Sequence, residues 1–287
     1  MLNLLTITLA LTSPALASCT PTPNTTSSWS GWQNIKQLFA FGDSYTQTGF
    51  DPTSTQPSPS NPFGNPPYPG WTSSNGPNWL GFLTTTYNQS TILTYNMAYG
   101  GATVDSALVK PYADSVVSMK DQVEKQFVPI YRDRKSAKWN AEDSLFAFWI
   151  GINDVGNSWW LNNATLYDAI FATYTDLLSQ LHATGARNYL FLSVPPVNLS
   201  PLILNQADDG YAKEYEGYVI TDWNNRLARM VAEFTTTHAG VRAFVHDAHA
   251  LFSKVIGDPG SVVQTRGLRN VDGFCGAYKR YVIAVWV

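Results

Sequence analysis

Three short segments carry residue types suited to attack on a carbonyl carbon. In Phe39-Ala40-Phe41-Gly42-Asp43-Ser44 an apolar run ends in a glycine and then a serine. A serine hydroxyl relieved of its proton is a nucleophile and forms a covalent acyl intermediate. In Asn96-Met97-Ala98-Tyr99-Gly100-Gly101-Ala102-Thr103 the glycines let a backbone N–H approach a ligand with no Cβ in the way. In Phe148-Trp149-Ile150-Gly151-Ile152-Asn153-Asp154 the Asn153 amide can donate to an oxyanion. Each segment has a plainer reading. Asp43-Ser44 alone more often caps a helix, the glycines alone make an ordinary strand-to-helix turn, and Asn153 alone caps the segment that follows. Together they offer one hydroxyl, one glycine N–H and one amide, the set that acyl transfer needs.

Positioning these groups falls to the elements around them. The runs 38–41, 92–95, 145–150, 189–194 and 241–245 are strand-length, apolar without interruption, and bounded by Gly, Pro or polar residues. Uninterrupted apolarity predicts strands buried on both faces of a parallel sheet. Tyr167, Ile170, Phe171, Tyr174, Leu177, Leu178 and Leu181 repeat at helical steps, with Gly185 as the stop. Tyr215, Tyr218, Val219, Trp223, Leu227, Met230, Val231 and Phe234 repeat likewise, ended by Gly240, and both stripes read as core faces. The alternation predicts an α/β fold: a three-layer α/β/α sandwich with a mostly parallel, flavodoxin-like sheet and right-handed crossovers. Ser44 then sits at the carboxyl end of a strand, opening a helix whose N-terminus favours developing negative charge. The segment 51–78, crowded with Pro, Gly, Ser and Asn, reads as a long ordered loop over that edge.

The whole sequence has 287 residues and a net charge of −3, so it carries no electrostatic footprint for nucleic acid or an anionic membrane. Charged residues make up only 14%, against roughly 25% in typical domains. The surface this leaves, polar and uncharged with exposed rings, fits either a neutral polar ligand such as a sugar or a glycosylated exterior. Residues 1–17 read as a secretory signal, with an apolar stretch from Leu4 to Leu11 and then Ala15-Leu16-Ala17. Residues 18–30 read as a disordered leader and 31–287 as one domain. Sequons at Asn24, Asn88, Asn163 and Asn198 agree with export. Cys19 and Cys275 are the only cysteines, and whether they pair is open. No segment reaches about 18 uninterrupted apolar residues, so a secreted, soluble monomer with no membrane partner is expected.

The three blocks, in this order, resemble those of the SGNH (GDSL-type) hydrolases, in particular fungal secreted acetyl esterases acting on carbohydrates. The likeness extends through the Pro-rich loop to about Tyr278. It implies an ester hydrolase with Ser44 as nucleophile, and with the N–H groups of Ser44 and Gly101 and the Asn153 amide as the oxyanion hole. It implies no metal or organic cofactor, and a small ester or acylated saccharide as substrate.

The family's fourth block, Asp-x-x-His, supplies the general base, and no Asp in this sequence has a His three residues later. The four histidines are His182, His238, His246 and His249. The first two fall in or at the ends of helical patterns, and His246-Asp247-Ala248-His249 has the right residue types at the wrong spacing. By the resemblance the fourth block should begin near 276–287, where the chain instead runs apolar. The domain is therefore expected to be truncated at its C-terminus, by a reading frame continued into an intron. A catalytically inactive glycan-binding protein on the same fold is the rival expectation.

Overall fold

The computed structural model describes residues 29–74 and 76–273. The expected signal and most of the leader, Asn24, both cysteines and the apolar run 276–287 lie outside them.

Along the chain the elements are β1 (Gln37–Gly42), α1 (Trp79–Thr85), β2 (Leu93–Asn96), α2 (Met119–Asp121), a π-helical turn (Gln122–Phe127), α3 (Val128–Tyr131), β3 (Ser144–Trp149), α4 (Ile152–Gly156), α5 (Ala164–Ala183), β4 (Asn188–Leu192), α6 (Pro201–Leu204), α7 (Tyr211–Thr237), β5 (Arg242–His246) and α8 (Ala248–Gly257). Five strands pair in the order β2-β1-β3-β4-β5, every pair parallel. This is the doubly wound, flavodoxin-like order, whose topological switch point lies between β1 and β3. Each of the five predicted strands is present within one or two residues of its apolar run.

Side-chain alternation sorts the core into two faces. Phe39, Phe41, Phe146, Phe148, Tyr189 and Phe191 face one way, against Met119, Val123 and Phe127, against α5 and against α7. Across the strands their rings stack, with centroids 5.0 Å apart for Phe39–Phe146 and 5.1 Å for Phe41–Phe148. The smaller Leu38, Ala40, Leu145 and Ala147 face the other way, against Leu80 of α1, while Trp149 and Leu192 meet Ala248 of α8. The result is the α/β/α sandwich, with β1 and β3 buried along their whole length and β5 half open.

Two expectations are corrected. Ser44 does not begin a helix: residues 43–47 form a single turn closed by the Asp43 carbonyl, which accepts from Thr46 N–H at 3.1 Å and Gln47 N–H at 2.9 Å. A lone turn has no macrodipole, so that electrostatic aid is absent. Tyr218 is not core but 64% exposed. The buried phase at the start of α7 runs Ala212, Glu216, Ile220 and Trp223, which turns Tyr218 outward.

Candidate active site

The nucleophile turn is built from its backbone outward. Gly42 ends β1 at φ 153°, and a Cβ there would fall 2.2 Å from the Trp149 carbonyl oxygen, so only glycine fits against β3. The fully buried Gln122 completes its hydrogen bonding. Gly42 N–H donates to Gln122 Oε1 at 2.9 Å, and Gln122 Nε2 donates to the Gly42 carbonyl at 2.8 Å. Beyond Ser44, two buried asparagines grip the Thr46 carbonyl, Asn96 Nδ2 at 2.6 Å and Asn78 Nδ2 at 2.8 Å. The loop 51–78 is tied down by Asn65, whose Nδ2 donates to the Asp51 and Thr55 carbonyls, each at 2.9 Å.

The donors come from the other two blocks. Gly101 has φ 83° in a turn closed by Ala102 N–H on the Tyr99 carbonyl at 3.0 Å. A Cβ at this position would lie 2.2 Å from the Tyr112 ring. Asn153, on α4, donates one amide hydrogen to the Ala102 carbonyl at 2.9 Å, which fixes the side chain beside the glycine turn and leaves its second hydrogen available. Asp154 links the two blocks, its carboxylate accepting from Val104 N–H at 3.1 and 3.2 Å. Neither Ser44 N–H nor Gly101 N–H donates to another residue among those described. Ser44, Gly101 and Asn153 line one open cavity of about 620 Å³, together with Gln47 and Tyr112. A second cavity of about 220 Å³ reaches Ser44 from the other side, walled by Trp79, Phe82, Trp149 and Phe252. The structure thus brings all three sequence-predicted residues together at the switch point.

Two carboxyls beneath the site are nine-tenths buried or more. Burial pushes Asp43 up to about 7 against the opposing pull of the Tyr45 N–H, which donates to it. Burial likewise pushes Asp154 up to about 7, and the Asp43 charge adds to that rise while Val104 N–H opposes it. Among the described residues no cluster of three His, Cys, Asp or Glu could hold a metal ion.

All four histidines fall within the described residues, and none lines either cavity that Ser44 opens to. His182 and His238 sit where α5 and α7 end, at the amino edge of the sheet, bonded to the Ala239 carbonyl at 3.0 Å and to Ser179 Oγ at 3.1 Å. His246 ends β5, three strand spacings or about 14 Å across the sheet from β1. Asp247 is committed as the N-cap of α8, its Oδ1 accepting from Ala250 N–H at 2.9 Å and from Ser193 Oγ at 3.1 Å. His249 N–H donates to the same Ser193 hydroxyl at 3.0 Å. The segment His246–His249 therefore opens an ordinary helix.

Residues 38–274 match the family described as GDSL-like Lipase/Acylhydrolase. The chain belongs to that family. It is 44% identical over 228 residues to an acetylesterase from Thermothelomyces thermophilus, covering 79% of this chain and 75% of the relative. An acetylesterase from Hypocrea jecorina is 24% identical over 273 residues, covering 84% and 76%. Among solved structures, an acetylxylan esterase from Geobacillus stearothermophilus aligns with a TM-score of 0.48 at 15% identity, over 80% of this chain and 86% of that one.

Against this GDSL-family frame, the residues missed from sequence are polar ones inside apolar helical faces. Gln122 lies three residues after the buried Met119 and one before the buried Val123. Glu216 lies between the buried Ala212 and Ile220. A lone polar residue in phase with an apolar stripe was the available signal for both.

Proposed function

We propose that this GDSL-family chain hydrolyses carboxylic esters through an acyl-enzyme on Ser44, with a short acyl group, acetyl foremost, on a saccharide alcohol. Ser44 Oγ attacks the ester carbon and passes its proton to water or a buffer base in the open cavity. The carbonyl oxygen gathers negative charge and is met by Ser44 N–H, Gly101 N–H and the free Asn153 amide hydrogen. As the tetrahedral species collapses, the C–O bond to the alcohol breaks and the alkoxide takes up a proton. Water then repeats the attack on the acyl-serine and releases the acid. One observation carries this reading: a serine hydroxyl and three donors open to one cavity of about 620 Å³ at the switch point of the sheet. The acetylesterase relatives support the choice of acyl group, and the hydrogen-bonding side chains in the lining, Gln47, Ser73, Asn157 and Glu216, support a saccharide alcohol.

No histidine lines either cavity that Ser44 opens to. Donors and binding alone sustain about 10³–10⁴-fold catalysis over water, so turnover is expected to be slow. Added imidazole can act as the missing base. Acetate release from an alkyl acetate should rise with imidazole concentration in the native chain and stay at the uncatalysed background in Ser44→Ala; equal rates in the two proteins would refute the proposal.

The absent imidazole favours one rival, a glycan-binding protein that keeps the cavity without turnover. Saccharide binding undiminished in Ser44→Ala, with no imidazole-dependent release from the native chain, would select it.

We further propose that the protein is secreted and carries a glycan at Asn163. This residue is exposed at the start of α5 and uses only its Oδ1 in capping, by accepting from Leu166 N–H at 3.1 Å. Asn198 suits a glycan poorly, since its Nδ2 donates to the Lys213 carbonyl at 3.0 Å and Ser200 of the same sequon is buried.

A further inference from the structure

Glu216 sits on the inner side of α7 at 1% exposure, and its Oε2 has no hydrogen-bond partner. Burial raises this carboxyl to about 7. A carboxyl taken out of water without a partner is destabilising, and a buried polar atom left unsatisfied in a native fold calls for a reason. Here the surroundings offer one. Glu216 lines the same cavity as Ser44, Gly101 and Asn153. Val197, from the 3₁₀ turn Val197–Leu199, and Leu202 and Ile203, from α6, line that cavity with it, and both elements pack on α7. These three residues are apolar, and no hydrogen bond within the protein competes for Glu216 Oε2.

We infer that Glu216 accepts a hydrogen bond from a hydroxyl of the alcohol half of the substrate and so selects polyhydroxylated alcohols over apolar ones. The inference rests on the reading of Ser44 as the site of acyl transfer, because the shared cavity makes Glu216 a neighbour of the leaving alcohol. Discrimination follows from the asymmetry of buried polar groups. A saccharide hydroxyl that reaches the Glu216 carboxyl gives it the hydrogen bond the protein does not supply, whereas an alkyl or acyl-glycerol chain leaves it unpaired, a mismatch that can weigh about 10⁴-fold where the polar site is fully enclosed. This cavity is open on one side, so a smaller factor is expected. Glu216 does not itself exchange protons with the reacting atoms in this account; it is a specificity residue.

Binding to the full chain carrying Ser44→Ala, which removes turnover, tests this directly. Acetylated xylotriose is the hydroxyl-bearing probe and hexyl acetate the apolar one. Adding Glu216→Met should weaken xylotriose acetate ten- to a hundredfold and leave hexyl acetate unchanged or tighter. Glu216→Gln, which keeps a neutral acceptor, should fall between. Unchanged xylotriose affinity in both variants, or equal weakening of both probes, overturns the inference. Should the Met variant fail to fold, the Gln variant decides by the same criteria. A Ser44→Ala chain that binds no saccharide at all also overturns it. In that event, imidazole-dependent release of acetate by the native chain would leave the ester-hydrolase reading standing, so the two failures are distinguishable.

Discussion

Two regions share the carboxyl edge of one sheet and are built to opposite standards. Where β1 and β3 end, both strands are buried throughout, and the turns beyond them are fixed by side chains with little other purpose: Gln122 on Gly42, Asn78 and Asn96 on Thr46, and Asp154 on Val104. Where β5 ends, Val245 is 50% exposed, and the polar residues that follow only start a helix. Leu251, Phe252, Val255 and Ile256 of that helix line a largely apolar cavity of about 500 Å³ with no titratable side chain among the described residues that line it. The contrast teaches that the turns carrying Ser44, Gly101 and Asn153 are fixed by buried polar side chains, whereas the segment after β5 is fixed by little more than a helix cap. On the proposed reading the serine and its donors are held in place, and no histidine lines the cavities they open to.

Several substitutions would break or sharpen that contrast. Gly42→Ala should have the largest effect, because its Cβ would meet the Trp149 carbonyl at 2.2 Å and its φ of 153° disfavours any side chain. A loss of about 4 kcal/mol is expected, in the range reserved for strained backbone sites, and urea unfolding would measure it. Gln122→Ala strands the Gly42 N–H and removes one of its carbonyl's donors. It should lose about 3 kcal/mol, with the rate contributed by Ser44 falling further than stability alone explains.

The buried carboxyls sharpen the comparison through pH. Asp43 and Asp154 have folded-state values raised to about 7 from an unfolded 3.8. Between those limits the folded state binds more protons than the unfolded chain, so stability falls as pH rises. Their contribution is complete below about pH 4 and lost by the time the pH has passed through 7. The free energy of urea unfolding should therefore be higher at pH 5 than at pH 8, by about 2 kcal/mol once coupling between the two is discounted. Asp154→Asn should flatten that dependence. On the β5 side, Asp247→Ala removes a helix cap and the hydrogen bond from Ser193 Oγ and should lose about 1 kcal/mol with no change in activity. A large activity loss there would mean that this segment takes part in catalysis.

Much of this was legible in the sequence. Doubly buried strands announce themselves as unbroken apolar runs, and Ser44, Gly101 and Asn153 stood out because each follows such a run. The helix expected at Ser44 failed because the turn after it is shaped by Asn78 and Asn96, neighbours 34 and 52 residues away in the chain. Tyr218 was misread because one apolar stripe cannot fix the phase of both halves of a helix as long as α7. Gln122 and Glu216 gave a signal that could not be interpreted for a related reason: a polar residue within an apolar face has meaning only once its partner, or its lack of one, is known.

The central claim is that Ser44 is poised with its donors and receives no imidazole from the 287 residues. Its most direct test is the rate of 4-nitrophenyl acetate hydrolysis by the full chain beside Ser44→Ala, His246→Ala and His249→Ala. The account predicts a slow native rate, reduced in Ser44→Ala and unchanged in both histidine variants. A fast native rate abolished by Ser44→Ala and by either histidine substitution would contradict it, because a base would then be reaching the serine from β5 or α8.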